Sequence, residues 1–107
     1  MVSVDQARAL ALALPETVEA DHHGRPSFRV GGKIFATVWD EAHMNVMVDL
    51  DGIRTAVQAE PSACAEMWWG KRLAAVRVSL EHADADVLAD LLADAWERKA
   101  PKRLLPP

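Results

Sequence analysis

Two adjacent glycines, Gly31 and Gly32, separate the β-rich runs 27–30 and 33–40. A two-residue loop between antiparallel strands requires positive φ at its central positions, and glycine accepts that conformation without a Cβ clash. The pattern therefore predicts a tight hairpin, and with it a sheet around which the rest of the chain must be arranged. A second turn at Asp40-Glu41-Ala42 leads into residues 43–48, where Met44, Val46 and Val48 alternate with Asn45, Met47 and Asp49 as in a half-buried strand. Three strands in a meander follow.

The middle strand, 33–40, is apolar on both sides. Ile34, Ala36 and Val38 share one parity, and Phe35, Thr37 and Trp39 the other. A central strand is expected, with helices over one face and a loop or partner over the other, although alternation by itself does not fix the register. Residues 73–80 alternate again, with Val76, Val78 and Leu80 against Arg77 and Ser79, and predict a fourth strand entered through Gly70. Residues 16–26 read as a loop because they are polar and contain Gly24 and Pro26, and 62–69 follow no clear period.

Helices bracket the strands. Ser3 with Gln6 forms a capping-box pattern, after which Val4, Ala7, Leu10, Ala11 and Leu14 recur at helical spacing, predicting a helix over 4–14. A short helix is expected after Asp51-Gly52 and before Pro61. The last begins at Asp84 and carries the stripe Val87, Leu88, Leu91, Leu92, Ala95 and Trp96 as far as Pro101. The fold class is α+β: an antiparallel meander of about four strands packed against N- and C-terminal helices, in a single domain over residues 1–107.

The chain has 107 residues, of which half are apolar, enough for one core but not for two. Its one cysteine, Cys64, has no intramolecular disulfide partner and reads as a small buried hydrophobe. There is neither a signal-peptide pattern at Met1-Val2-Ser3-Val4-Asp5 nor an apolar run of membrane-spanning length, so a cytoplasmic location is expected.

Net charge is −4, which argues against extensive phosphate contact, yet the bases are not evenly spread. Ten of the twelve fall in three stretches free of acids: Arg25, Arg29 and Lys33; Lys71, Arg72 and Arg77; Arg98, Lys99, Lys102 and Arg103. The first two stretches flank or occupy strands and could present positive charge from β structure, the alternative being ordinary solvated surface. Trp68-Trp69 is a second signal. Either one indole is core and the other lies at a rim, where it can stack on a ligand, or both are buried around a loop.

Catalytic and metal motifs are lacking. No Cys, His or carboxylate follows His22, His23 or His43 by three or four residues on a helix with them, and Asp49-Leu50-Asp51-Gly52 lacks the later ligands of a calcium loop. Gly24-Arg25-Pro26-Ser27-Phe28 lacks the second glycine of a nucleophile elbow, and no His is singled out as a partner for Cys64. No metal, no cofactor and no enzymatic activity are expected.

The segment from His23 to Ala36, HGRPSFRVGGKIFA, resembles the central signature of the MmcQ/YjbR family, as do Trp69-Gly70-Lys71, Val76-Arg77-Val78 and the ending from Ala95-Trp96 to Lys102-Arg103. The resemblance implies a compact frataxin/CyaY-like α+β fold with a double-wing arrangement, and a DNA-binding role. Position by position, it places the family's recurrent polar residues on His23, Arg25, Ser27, Arg29, Lys33, Trp69, Lys71 and Lys102. One departure is Lys71-Arg72-Leu73-Ala74-Ala75, which lacks an aromatic common in that family after the Trp-Gly step. The frataxin relationship also raises iron, but helix 1 holds only Asp5 in place of a dense acidic row.

These readings converge on a non-enzymatic DNA-binding domain that grips phosphate weakly and salt-dependently through Arg25, Arg29, Lys33, Trp69, Lys71, Arg72, Arg77 and Lys102. The alternative is a module for a small anionic ligand or a protein partner, with Arg25, Arg29 and Lys102 converging on a pocket beside Trp69.

Overall fold

The computed structural model describes residues 1–107. Helix α1 (Val4–Leu12) is followed by β1 (Val18–His22), β2 (Arg25–Val30), β3 (Lys33–Asp40) and β4 (His43–Val46). Then come α2 (Leu50–Ala59), β5 (Cys64–Trp69), β6 (Arg72–Ser79), α3 (Ala85–Lys99) and a short 3₁₀ turn, Lys102–Leu104. The strands form one antiparallel sheet in the order β1-β2-β3-β4-β6-β5. The fold class agrees with the sequence, but six strands replace four.

The two additional strands are the sheet's edges. β1 lies in the segment expected to be a loop, and β5 in the one without a period. Each is held by main-chain pairing to a single neighbour, Val18 opposite Arg29 through His22 opposite Arg25, and Cys64 opposite Val78 through Trp69 opposite Arg72. The turn between β1 and β2 uses His23 (φ 53°) and Gly24 (φ 83°), the same pair of positive φ values that Gly31 (58°) and Gly32 (78°) supply between β2 and β3. The strand expected over 43–48 ends at Val46.

The helices cover one face, α3 against β3 and β4, α2 against β5 and β6, and α1 against α3. Residues directly opposite each other in an antiparallel pair point to the same side. Phe28, Ala36, Val46 and Val76 therefore form one row under the helices, with Val38, Met44, Val78 and Cys64 in the next, and all eight are buried. Two bulges settle the question left by β3. Ala36 pairs with Phe28 and Ile34 with Arg29, so Phe35 is an extra residue and joins Ala36 in the core. Likewise Val38 pairs with Met44 and Asp40 with His43, leaving Trp39 extra.

The Ser3–Gln6 capping box forms in both directions. Asp84 does occupy the N-cap of α3, but its side chain makes no capping bond. Among the contacts that tie α1 and its linker to the rest, Arg8 donates to Glu19 on β1 at 2.8 Å, and the Trp96 indole of α3 donates to the Pro15 carbonyl at 2.9 Å. No helix is long and apolar enough to cross a membrane.

Candidate anion-binding surface

On the side of the sheet away from the helices, the register aligns Ala20, Ser27, Thr37, Asn45, Arg77 and Ala65 across all six strands. The row contains no carboxylate. Ser27, Thr37 and Asn45 are buried. Ser27 donates to the Ala20 carbonyl at 2.8 Å and accepts from Arg29 Nε at 3.2 Å, and Asn45 accepts from Arg77 Nε at 3.1 Å.

Arg25, Arg29 and Arg77 are thus brought to one face and lie half-buried. Arg25 donates through Nε to the Trp39 carbonyl, and its guanidinium lies 3.9 Å from the Trp39 ring centroid, with that of Arg77 at 4.7 Å. Arg29 also donates to the Asp21 carbonyl at 3.2 Å. None of the three takes part in a salt bridge, so their charge is uncompensated while most of their terminal N–H groups have no protein acceptor.

The remaining bases divide. Lys71 and Arg72 follow Trp69 at the β5–β6 turn, where both are exposed and unpaired. Lys33 is exposed beside the Gly31-Gly32 turn. Lys102 sits on the C-terminal 3₁₀ turn, away from the sheet-face row, with Arg103 next to it paired bidentately to Glu16 at 2.8 and 2.7 Å. That bond holds the Glu16 carboxyl below the usual range.

Neither expectation for Trp68-Trp69 holds, because both indoles are exposed, at 52% and 63%. β5 shifts register between Met67 and Trp68 at an edge where only one strand flanks it, so neither ring gains a covering layer. Two hollows adjoin Trp69. A cleft of about 80 Å³ has Thr37, Asn45 and Trp39 with His23 and Arg25 from the β1–β2 turn and Met67 and Trp69 from β5. Those turns sit at diagonally opposite corners, so the twist curls both over the same face. The other hollow, about 380 Å³, lies beyond the edge and brings Arg72 together with Arg98 and Lys99 of α3. The predicted convergence of Arg25, Arg29 and Lys102 beside Trp69 does not occur: only Arg25 shares a hollow with it. Arg98 and Lys99 share the other hollow with Trp69, a placement that sequence reasoning missed although both fall in an acid-free stretch.

A family model described as YjbR matches residues 12–98. The chain belongs to the YjbR family. The fold of this YjbR domain is similar to that of Deinococcus radiodurans protein DR2400, which carries the DUF419 domain. The TM-score is 0.75 at 24% identity, covering 90% of this chain and 77% of that one. No curated protein matches the chain. In this YjbR domain His22 and His23 pack edge to face with ring centroids 4.5 Å apart, and no three His, Cys, Asp or Glu side chains are grouped to hold a metal ion. Cys64 is buried in the core, where burial raises its thiol pKa, with the Glu60 charge as the smaller cause.

Proposed function

We propose that this YjbR domain is a non-enzymatic nucleic-acid-binding module that receives the phosphate backbone on its helix-free sheet face. The observation that carries this reading is the segregation of charge. Arg25, Arg29 and Arg77 share a face with no salt-bridging carboxylate, Lys71 and Arg72 extend it at one edge, and acids such as Asp86, Asp90, Asp94 and Glu97 lie on α3. The DNA-binding role implied by the YjbR resemblance agrees with that arrangement. The hollow on this face, about 80 Å³, is too small to enclose a nucleotide, so the reading is of surface contact with phosphate and little base readout.

About four phosphate contacts, through Arg29, Arg77, Lys71 and Arg72, imply a salt slope of roughly −3 to −4 and a Kd on the order of 10⁻⁵ M or weaker at physiological salt. Anisotropy titration of a labelled duplex at 50 and 200 mM salt tests this. Affinity should fall by roughly 10² between the two. No binding at high micromolar protein in the lower salt, or binding indifferent to salt, overturns the reading.

A further inference from the structure

We propose that the hollow between the β5–β6 edge and the end of α3 is a binding site for a phosphate monoester carried on a planar apolar ring. The site shares Arg72 with the edge of the proposed nucleic-acid surface but lies outside the sheet-face row, and it stands whether or not that face holds nucleic acid.

Its shape and lining select the ligand class. A volume of about 380 Å³ lies within the range of small-molecule sites, whereas the cleft over Trp39 does not. Met47 and Leu73 supply apolar wall, and Trp69 stands at the border with most of its indole in solvent, a face on which a ring can stack. Three cations, Arg72, Arg98 and Lys99, complete the lining, and no carboxylate is among the lining residues. None of the three takes part in a salt bridge.

Arg98 is already oriented. Its Nη1 donates to the Met47 and Val48 carbonyls at 3.1 and 3.2 Å, which fixes the guanidinium while leaving its other nitrogens without a protein acceptor. Arg72 and Lys99 make no side-chain hydrogen bond. Burial lowers the Lys99 pKa, and the charges of Arg98, Lys33 and Arg72 lower it further, so four bases crowd this corner at the cost of mutual repulsion. The C-terminal end of α3 favours cations nearby, but Arg98 and Lys99 already satisfy that preference. The positive charge left over matches the ≈ −1.5 to −2 of a phosphate monoester better than the single charge of a carboxylate. Guanidinium and ammonium donors also suit its three terminal oxygens.

The probe is 1-naphthyl phosphate, compared with 1-naphthoate, 1-naphthol and inorganic phosphate, followed by ¹H–¹⁵N shift mapping on the full chain. 1-Naphthyl phosphate should saturate shifts of the Trp69 indole N–H and the Arg98 Nε–H. Naphthoate should bind about tenfold more weakly, and naphthol and inorganic phosphate alone more weakly still. Lys99→Met and Arg72→Gln should each weaken binding by about fivefold to tenfold. Arg29→Gln, on the sheet face, should leave it within about twofold. Equal affinity for naphthol and naphthyl phosphate would reduce the site to an apolar hollow and overturn the proposal. It is overturned equally by naphthoate binding as tightly as the phosphate, by indifference to Lys99→Met and Arg72→Gln, or by shifts remote from Trp69 and Arg98. Because Arg29→Gln should weaken duplex binding while sparing this site, failure of one proposal is distinguishable from failure of the other.

Discussion

The Arg25 guanidinium carbon lies 3.9 Å from the Trp39 ring centroid, while the same side chain donates through Nε to the Trp39 carbonyl at 2.9 Å. One arginine on β2 thus holds both the ring and the main chain of a bulged residue on β3. Main-chain pairing between β2 and β3 reaches Ser27 opposite Thr37, and beyond that pair the Arg25 side chain supplies a donor to the Trp39 carbonyl.

A double-mutant cycle measures this coupling. Arg25→Ala and Trp39→Ala should each destabilise the domain. Their interaction energy should be about 0.5–1 kcal/mol, in the range of a partly exposed cation–π pair. Urea denaturation of the four proteins provides the values, and additivity within error would mean that the ring and the guanidinium are merely adjacent.

The two hairpin glycines should respond differently to a methyl group. Both have positive φ, but a Cβ on Gly32 meets nothing, whereas one on Gly31 would lie 3.0 Å from Pro101 Cδ. Gly32→Ala should cost about 1 kcal/mol for the backbone conformation alone, and Gly31→Ala roughly 1 kcal/mol more for displacing the C-terminal segment from the hairpin tip. Thermal or chemical denaturation should show that order; equal costs would mean that Pro101 yields freely.

Lys99 should destabilise the fold when charged. Its pKa is lowered in the folded protein, first by burial and then by Arg98, Lys33 and Arg72, so the unfolded chain binds its proton more tightly. The penalty is fully present at neutral pH and is relieved as pH rises from the lowered value through the ordinary lysine range. Lys99→Met should therefore raise Tm at pH 7, by on the order of 1–2 °C, and flatten the alkaline rise in stability attributable to this group. A lower Tm would show that the ammonium stabilises the corner rather than straining it.

Arg29 separates binding from folding. It lies on the open face between Phe28 and Val30, which are buried, and its two hydrogen bonds, to Ser27 and to the Asp21 carbonyl, are both 3.2 Å long. Ser27 keeps its own bond to Ala20 when Arg29 is lost. Arg29→Ala should cost no more than about 1 kcal/mol, while weakening duplex binding and lowering the salt slope by about one unit. Large thermal destabilisation with unchanged DNA affinity would make Arg29 a structural tie and remove it from the binding face.

Local signals in the chain were sufficient wherever the cause of structure was local. The Gly31-Gly32 turn, the Ser3–Gln6 capping box and the apolar stripe of α3 each follow from dihedral freedom, from a hydrogen bond three residues away, or from a 3.6-residue period. The same holds for the α+β class and for the bases on strands, whose parity placed Arg29 and Arg77 opposite the core. What the tertiary structure alone decided comes from neighbours distant in sequence. β1 and β5 are strands because β2 and β6 offer them main-chain partners, not because residues such as Glu19, Asp21 and Glu66 favour the conformation. Phe35 enters the core, and Trp39 sits unpaired between Arg25 and Arg77, only because two bulges shift the register. The hollow that joins Arg72 to Arg98 and Lys99 exists because α3 ends where β6 begins, a meeting fixed by packing across the core and carried by no sequence period.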